Sequence, residues 1–226
     1  MSIQELYNIF VQYPSISTDT RNIAADSIFF ALKGDNFNAN SFAAQAIAKG
    51  AKYVVIDEPN YADGDQYIVV SDVLETLQQL AYHHRQQLNI PFIGITGTNG
   101  KTTTKELLYS VLSQQFKTYA TQGNLNNHIG VPLTILAIGP AIEIAIIEMG
   151  ANHIGEIAFL SAIACPTVGL ITNVGKAHLE GFGSFEGVMK TKGELYNYLK
   201  EHDGTTFIQG ENQYLQEMAQ EHGLTK

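Results

Sequence analysis

Phe92-Ile-Gly-Ile-Thr-Gly-Thr-Asn-Gly-Lys-Thr-Thr-Thr104 is the stretch on which the fold turns. An apolar run enters a glycine-rich turn, a Lys-Thr pair follows, and Leu107, Leu108, Val111 and Leu112 then recur at helical spacing. This predicts strand, tight loop and helix in succession, the setting a phosphate-binding loop requires. Small residues let backbone N–H groups converge on phosphate oxygens, and the helix N-terminus adds a favourable dipole. Gly97, Thr98, Asn99, Gly100, Lys101, Thr102 and Thr103 are therefore candidate ATP-binding residues. Lys101 would reach the β and γ phosphates, and the Thr102 hydroxyl would complete a Mg²⁺ shell. The strict G-x-x-x-x-G-K-[ST] pattern would place its first glycine at Ile95, whereas the glycines stand at Gly94 and Gly97. The alternative is a plain strand–helix turn with a solvated lysine.

Downstream, Ile142 to Glu148 and Thr167 to Thr172 read as apolar strands without polar alternation, as in parallel sheets covered on both faces. Phe185 to Leu199 reads as a helix, Thr205 to Gln209 as a strand and Asn212 to His222 as a helix. Upstream, Ile3 to Val11 has helical spacing. Strands are expected at Ser27 to Leu32, Lys52 to Asp57 and Tyr67 to Val70, with helices at Ser41 to Gly50 and Val73 to Leu88. Pro91 stops the last of these, which puts a domain boundary near residue 89. The fold class is α/β: a small N-terminal α/β domain over residues 1–88, then a mostly parallel phosphate-loop sheet flanked by helices over 89–226. The chain stops after one more strand and helix with no finishing element, so the expectation is an incomplete central domain of a longer protein.

The chain's 226 residues are 45% hydrophobic and 15% charged, a globular composition. A formal net charge of −9 with no basic run argues against nucleic-acid binding. An anionic ligand must then be held by loop N–H groups, one lysine and a metal. A single cysteine, Cys165, excludes an internal disulfide. The N-terminus has no secretory pattern and the apolar runs are too short to span a bilayer, so the expected address is cytoplasmic. His83 and His84 point about 100° apart on a helix and read as surface residues.

Thr96-Gly-Thr-Asn-Gly-Lys-Thr-Thr103 resembles the Mur ligases, the ATP-dependent amino-acid ligases of peptidoglycan precursor synthesis. Three further segments, Gly123-Asn-Leu-Asn-Asn-His-Ile-Gly-Val-Pro132, Glu148-Met-Gly-Ala-Asn-His-Ile-Gly-Glu-Ile157 and Ala177-His-Leu-Glu-Gly-Phe-Gly-Ser184, follow in family order. The resemblance implies a UDP-muramoyl-peptide domain, a central ATPase and a third domain for the incoming amine, the last expected to lie outside this stretch. It implies that D-Ala-D-Ala is joined to UDP-N-acetylmuramoyl-tripeptide through an acyl phosphate, with ATP and Mg²⁺, by a monomer. A different Mur ligase step, a folylpolyglutamate-synthase-like ligase and a non-catalytic nucleotide-binding fragment are the alternatives.

Glu148 ends an apolar strand, where a carboxylate meets the crevice at the sheet's carboxyl edge, a sensible place for a Mg²⁺ ligand or for solvent. The resemblance favours the ligand. It also makes His178, which alone reads as a hydrogen-bonded structural residue, a helper at a second Mg²⁺, and Lys192 a carbamate metal ligand, with Lys190 as rival and a surface lysine as the bland reading. Lys101, Lys192 and His178 are thus the expected catalytic residues. Asn124, Asn126, Asn127 and His128 suit turns and helix caps, but the resemblance sets this loop against the muramoyl-peptide, with His153 either on the same wall or in a structural role. In the first domain, Ser17-Thr-Asp-Thr-Arg21 matches the family's uridine-nucleotide segment, so Ser17, Asp19, Thr20 and Arg21 are substrate-binding candidates. Asn38-Ala-Asn40 departs from the family's usual Asp-Gly-His there.

Overall fold

The computed structural model describes residues 1–175 and 179–224. The chain forms two compact units: Met1–Gln87 with Ile135–Ala137, and Leu88–Thr134 with the chain from Ile138 on.

In the first unit, β1 (Ile16–Ser17), β2 (Ile28–Phe30), the short antiparallel pair β3 (Lys33–Gly34) and β4 (Phe37–Asn38), β5 (Tyr53–Ile56) and β6 (Tyr67–Val69) combine with α1 (Ile3–Gln12), α2 (Ala43–Ala48) and α3 (Val73–Gln87). The four-stranded sheet runs β1-β2-β5-β6, every pair parallel. Phe29, Val54 and Ile56 pack with Ala43 and Ala46 of α2. Ser2 and Glu5 form a reciprocal capping box that starts α1. Fully buried Asn40 takes the N–H of Asp57 at 3.0 Å and returns an amide N–H to the Asp57 carboxylate at 2.8 Å. Lys33 meets the same carboxylate at 3.0 Å. The departure at Asn38-Ala-Asn40 is thus a closed polar network that fixes the loop after β4.

One expectation fails here. His84 is buried, lies 3.2 Å from the Tyr7 hydroxyl and packs edge-on against Phe10, and the His83 ring lies 4.6 Å from that of Tyr7. The aromatic side of α1 covers this stretch of α3, and imidazole can bury a ring while keeping a polar tip satisfied. Sequence spacing separates the two rings but does not show which of them a neighbouring helix covers.

In the second unit, β7 (Phe92–Thr96), β8 (Thr118–Ala120), β9 (Ile144–Glu148), β10 (Val168–Ile171) and β11 (Thr205–Phe207) form a wholly parallel sheet in the order β11-β10-β7-β9-β8. From Leu88 on, the helices of the chain are α4 (Lys101–Leu112), α5 (Gly130–Leu136), α6 (Glu156–Ala164), α7 (Leu179–Phe182), α8 (Phe185–Glu201) and α9 (Gln213–Glu221). β8, α5 and α6 lie in stretches where the sequence reading placed no element. Central β7 alternates by face. Ile93 and Ile95 join Ala120, Ile146 and Leu170 beneath Leu108 and Leu112 of α4. Gly94, paired with Gly169 of β10, faces the other way toward α8. A Cβ at Gly169 would lie 2.7 Å from Leu199 Cδ1, and one at Gly94 would lie 2.9 Å from Met149 Cε. The two glycines together let α8 lie close on the sheet.

The register aligns the strand ends: Ile95 pairs with Glu148, and Thr96 pairs with Ile171. The chain leaves β7 toward β8 on one side and crosses β7 from β9 to β10 on the other. The loops after β7, β9 and β10 therefore gather at one carboxyl edge, where parallel sheets place ligands.

Candidate active site

The loop between β7 and α4 takes the shape its glycines allow. Gly97 has φ +144°, and a Cβ there would fall 2.0 Å from Thr172 Oγ1 and 3.2 Å from the Asn173 backbone nitrogen. Gly100 has φ +77° and precedes the first turn of α4. The strand end after β10 braces the loop. Thr98 N–H donates to the Asn173 carbonyl at 3.0 Å and Asn99 N–H to the Asn173 side-chain oxygen at 3.1 Å. Thr172 Oγ1 and Asn173 Nδ2 both donate to the Asn99 carbonyl, at 2.6 and 2.9 Å. The sequence reading missed Thr172 and Asn173; the signal available was a Thr-Asn pair directly after an apolar strand.

Lys101 lies at the N-terminus of α4, its ammonium donating to the carbonyls of Gly97 at 2.7 Å and Thr98 at 3.2 Å. Burial pulls its pKa down, and the Glu148 carboxylate opposes this. Glu148, only 2% exposed, accepts the Thr102 hydroxyl at 2.9 Å on one oxygen and the Asn126 amide at 2.8 Å on the other. Its own N–H donates to Thr121 Oγ1 at 3.0 Å. The structure thus brings Lys101, Thr102, Glu148 and Asn126 together.

Asn127 does something else: its side-chain oxygen accepts the N–H groups of Ile129 and Gly130, at 3.1 and 2.9 Å, just where α5 begins. That is the capping alternative seen from sequence. Asn124 is exposed, and its carbonyl accepts the Asn126 N–H at 2.8 Å. His153, largely exposed, lies 3.4 Å from the Glu156 carboxylate.

Lys192 is 3% exposed, whereas Lys190 is exposed on the same helix. The surface alternative for Lys192 therefore fails. Its Nζ lies 5.4 Å from the Phe182 ring centroid. Burial, with the Lys101 charge adding, pulls its pKa down to about 8 against the pull of Glu156 and Glu194. Glu194, two residues on, was not foreseen. Its oxygens accept the N–H groups of Gly155 at 2.7 Å and Ala158 at 2.9 Å, so a carboxylate from α8 caps the start of α6. His178 lies outside the described residues. Among the described residues no three His, Cys, Asp or Glu side chains group to hold a metal. Any cation here would rely on mixed oxygen donors, of which the Thr102–Glu148 pair is one.

In the first unit Arg21 closes on Asp19, with 2.7 Å between Nη2 and Oδ2. The Arg21 hydrogen bonds hold the Asp19 carboxyl at about 2. Ser17 Oγ donates to the Asp19 carbonyl at 3.1 Å, and the Thr20 carbonyl accepts Lys49 Nζ at 2.7 Å. Asp19, Thr20 and Arg21 line a cavity of about 350 Å³ with Phe29, Phe37 and Phe42. Phe37 and Phe42 stack at 5.6 Å with 16° between their planes, both exposed.

Residues 95–226 match the model of the Mur ligase middle domain, and residues 12–98 that of the Mur ligase family, catalytic domain. The chain belongs to the Mur ligase family. Among Mur ligases, the UDP-N-acetylmuramoyl-tripeptide–D-alanyl-D-alanine ligase of Bacillus subtilis (strain 168) is 44% identical over 203 residues, covering 89% of this chain and 44% of the relative. The ligase of the same name from Escherichia coli (strain K12) is 41% identical, covering 92% and 46%. The crystal structure of MurF from Acinetobacter baumannii superposes with a TM-score of 0.84 at 37% identity, covering 92% of this chain and 46% of that one. MurF ligase from Thermotoga maritima in complex with ADP gives 0.76 at 35% identity, covering 83% and 44%. The chain spans less than half the length of these relatives. No helix among the described residues is long and apolar enough to cross a membrane.

Proposed function

We propose that this chain provides the nucleotide-gripping and UDP-sugar-binding parts of a Mur ligase that joins D-Ala-D-Ala to UDP-N-acetylmuramoyl-tripeptide. The observation that carries the reading is the braced loop of Gly97 to Gly100, with Lys101 and the Thr102–Glu148 pair at its mouth. Residues 1–87 hold the uridine nucleotide. There Arg21 meets the diphosphate, and the exposed Phe37–Phe42 pair gives the base a flat apolar surface. From residue 88 on, the chain holds ATP.

In the reaction, a carboxylate oxygen of the tripeptide bonds to the γ-phosphorus of ATP. The bond to the β-bridging oxygen breaks, and ADP leaves. The amine of D-Ala-D-Ala then adds to the acyl phosphate carbonyl, loses a proton, and phosphate departs. Two anions meet in the first step, so the Lys101 ammonium and loop N–H groups act by cancelling charge where it develops. The Thr102 hydroxyl and Glu148 carboxylate are hard oxygen donors 2.9 Å apart; they would hold Mg²⁺, which would supply neutralisation of the phosphate charge. A pKa of about 8 leaves part of Lys192 as neutral amine near neutral pH, the form that can add CO₂ to become a carbamate ligand.

ADP release by the protein that carries this sequence, measured with UDP-muramoyl-tripeptide and either D-Ala-D-Ala or single amino acids, tests the reading. Release that depends on the dipeptide is expected; release driven equally by single amino acids would overturn the assignment.

A further inference from the structure

Lys105, one turn beyond Lys101 on α4, is 1% exposed. Its ammonium donates to the Thr121 carbonyl at 2.6 Å and lies 3.1 Å from the Glu106 carboxylate, which is itself 61% exposed. An ammonium taken out of water costs several kcal/mol unless it is well paired. One neutral carbonyl and one solvent-facing carboxylate are modest compensation.

The placement of Thr121 gives the burial a purpose. It follows β8 directly, donates its N–H to the Ile146 carbonyl at 3.0 Å, and accepts the Glu148 N–H on its hydroxyl at 3.0 Å. Glu148 in turn accepts the Thr102 hydroxyl. Thr102 and Lys105 are three apart on one helix and so share a face. A closed circuit results: Lys105 to Thr121, Thr121 to Glu148, Glu148 to Thr102, and back along α4.

We propose that Lys105 is a positioning residue that clamps α4 to the Thr121 turn and thereby sets the Thr102–Glu148 spacing on which Mg²⁺ affinity depends. This rests on the reading of Thr102 and Glu148 as the Mg²⁺ holders. Lys105→Met keeps the apolar stem but leaves the Thr121 carbonyl without its donor. Thr121→Val interrupts the same circuit at the hydroxyl while sparing the Lys105 contact.

The test is calorimetric titration of ADP into the parent protein and both variants, with saturating Mg²⁺ and with EDTA. The parent should bind ADP more tightly with Mg²⁺. Each variant should lose about 10-fold or more of that enhancement, the usual cost of removing a group that orients a metal ligand. Metal-free affinity should stay within about twofold of the parent, because the loop N–H groups and Lys101 are untouched. Loss of folding stability alone would not change the ratio. An unchanged enhancement in a folded variant overturns the inference, and Thr121→Val decides it alone if Lys105→Met does not fold. A parent with no Mg²⁺ enhancement would instead overturn the reading of Thr102 and Glu148.

Discussion

At the scale of single residues, two side chains carry most of the charge bookkeeping. Lys101 bonds two carbonyls of its own loop, so bound phosphate would replace neutral acceptors with anionic ones. Lys101→Ala should lower dipeptide-dependent ADP release by roughly 10²-fold or more; a near-parent rate in steady-state assays would defeat the mechanism. Asp19 gives a cleaner electrostatic test. Its carboxyl is held at about 2 by Arg21, so in the folded chain it stays ionised down to that pH, while in the unfolded chain it protonates near 3.8. The stability it contributes is present above about 3.8 and is lost as the pH falls through 2. Arg21→Ala should return the Asp19 titration, followed by carboxyl carbon NMR, toward the ordinary range. The loop lysine and strand-end carboxylate could be singled out in sequence as candidates because each is defined by a local pattern. Thr121, Lys105, Thr172 and Asn173 could not, because their roles arise only when three strand ends are laid side by side.

At the scale of elements, the helix–sheet rhythm after residue 91 was readable from uninterrupted apolar strands, and β7 falls on the expected residues. β8 escaped notice because Thr118-Tyr-Ala120 is too short for any periodicity to show. His84 was misjudged for a related reason: the residue that buries it, Phe10, comes from another helix. The cap that Glu194 places on α6 is the same kind of feature. Gly155 offers α6 no side chain, and the carboxylate that serves it comes from 39 residues away. Glu194→Ala should cost about 2 kcal/mol, as expected for losing charged hydrogen bonds at a helix N-terminus. Urea denaturation would give that value. Hydrogen exchange should quicken selectively at the Gly155 and Ala158 amides, and uniform quickening would argue against a local cap.

At the scale of the whole molecule, an acidic balance can coexist with the anionic ligands proposed above because the cations proposed to hold them are local. A net charge of −9 with no basic run disfavours displacing counterions from a nucleic acid, even with the phosphate loop proposed above. Electrophoretic mobility of a short DNA duplex at low salt should therefore be unchanged by the protein; a shifted band would reopen the question of partners. A break in the helix–strand succession was legible at Pro91, which lies between the end of α3 at Gln87 and the start of β7 at Phe92. The allocation of Ile135–Ala137 to the first unit was not, since nothing in that short apolar run distinguishes it from its neighbours.

The paired glycines of β7 and β10 give the second unit's sheet two unequal sides. Beneath α4, aliphatic residues meet aliphatic residues, and exchanging one for another of like size should be forgiven. Beneath α8, even a methyl group at position 94 or 169 would press on the side-chain ends of Met149 or Leu199 and oblige them to shift. Random mutagenesis of this sheet should therefore give a lopsided map of permitted variation: broad on one side, and on the other a narrow trough where larger side chains are shut out.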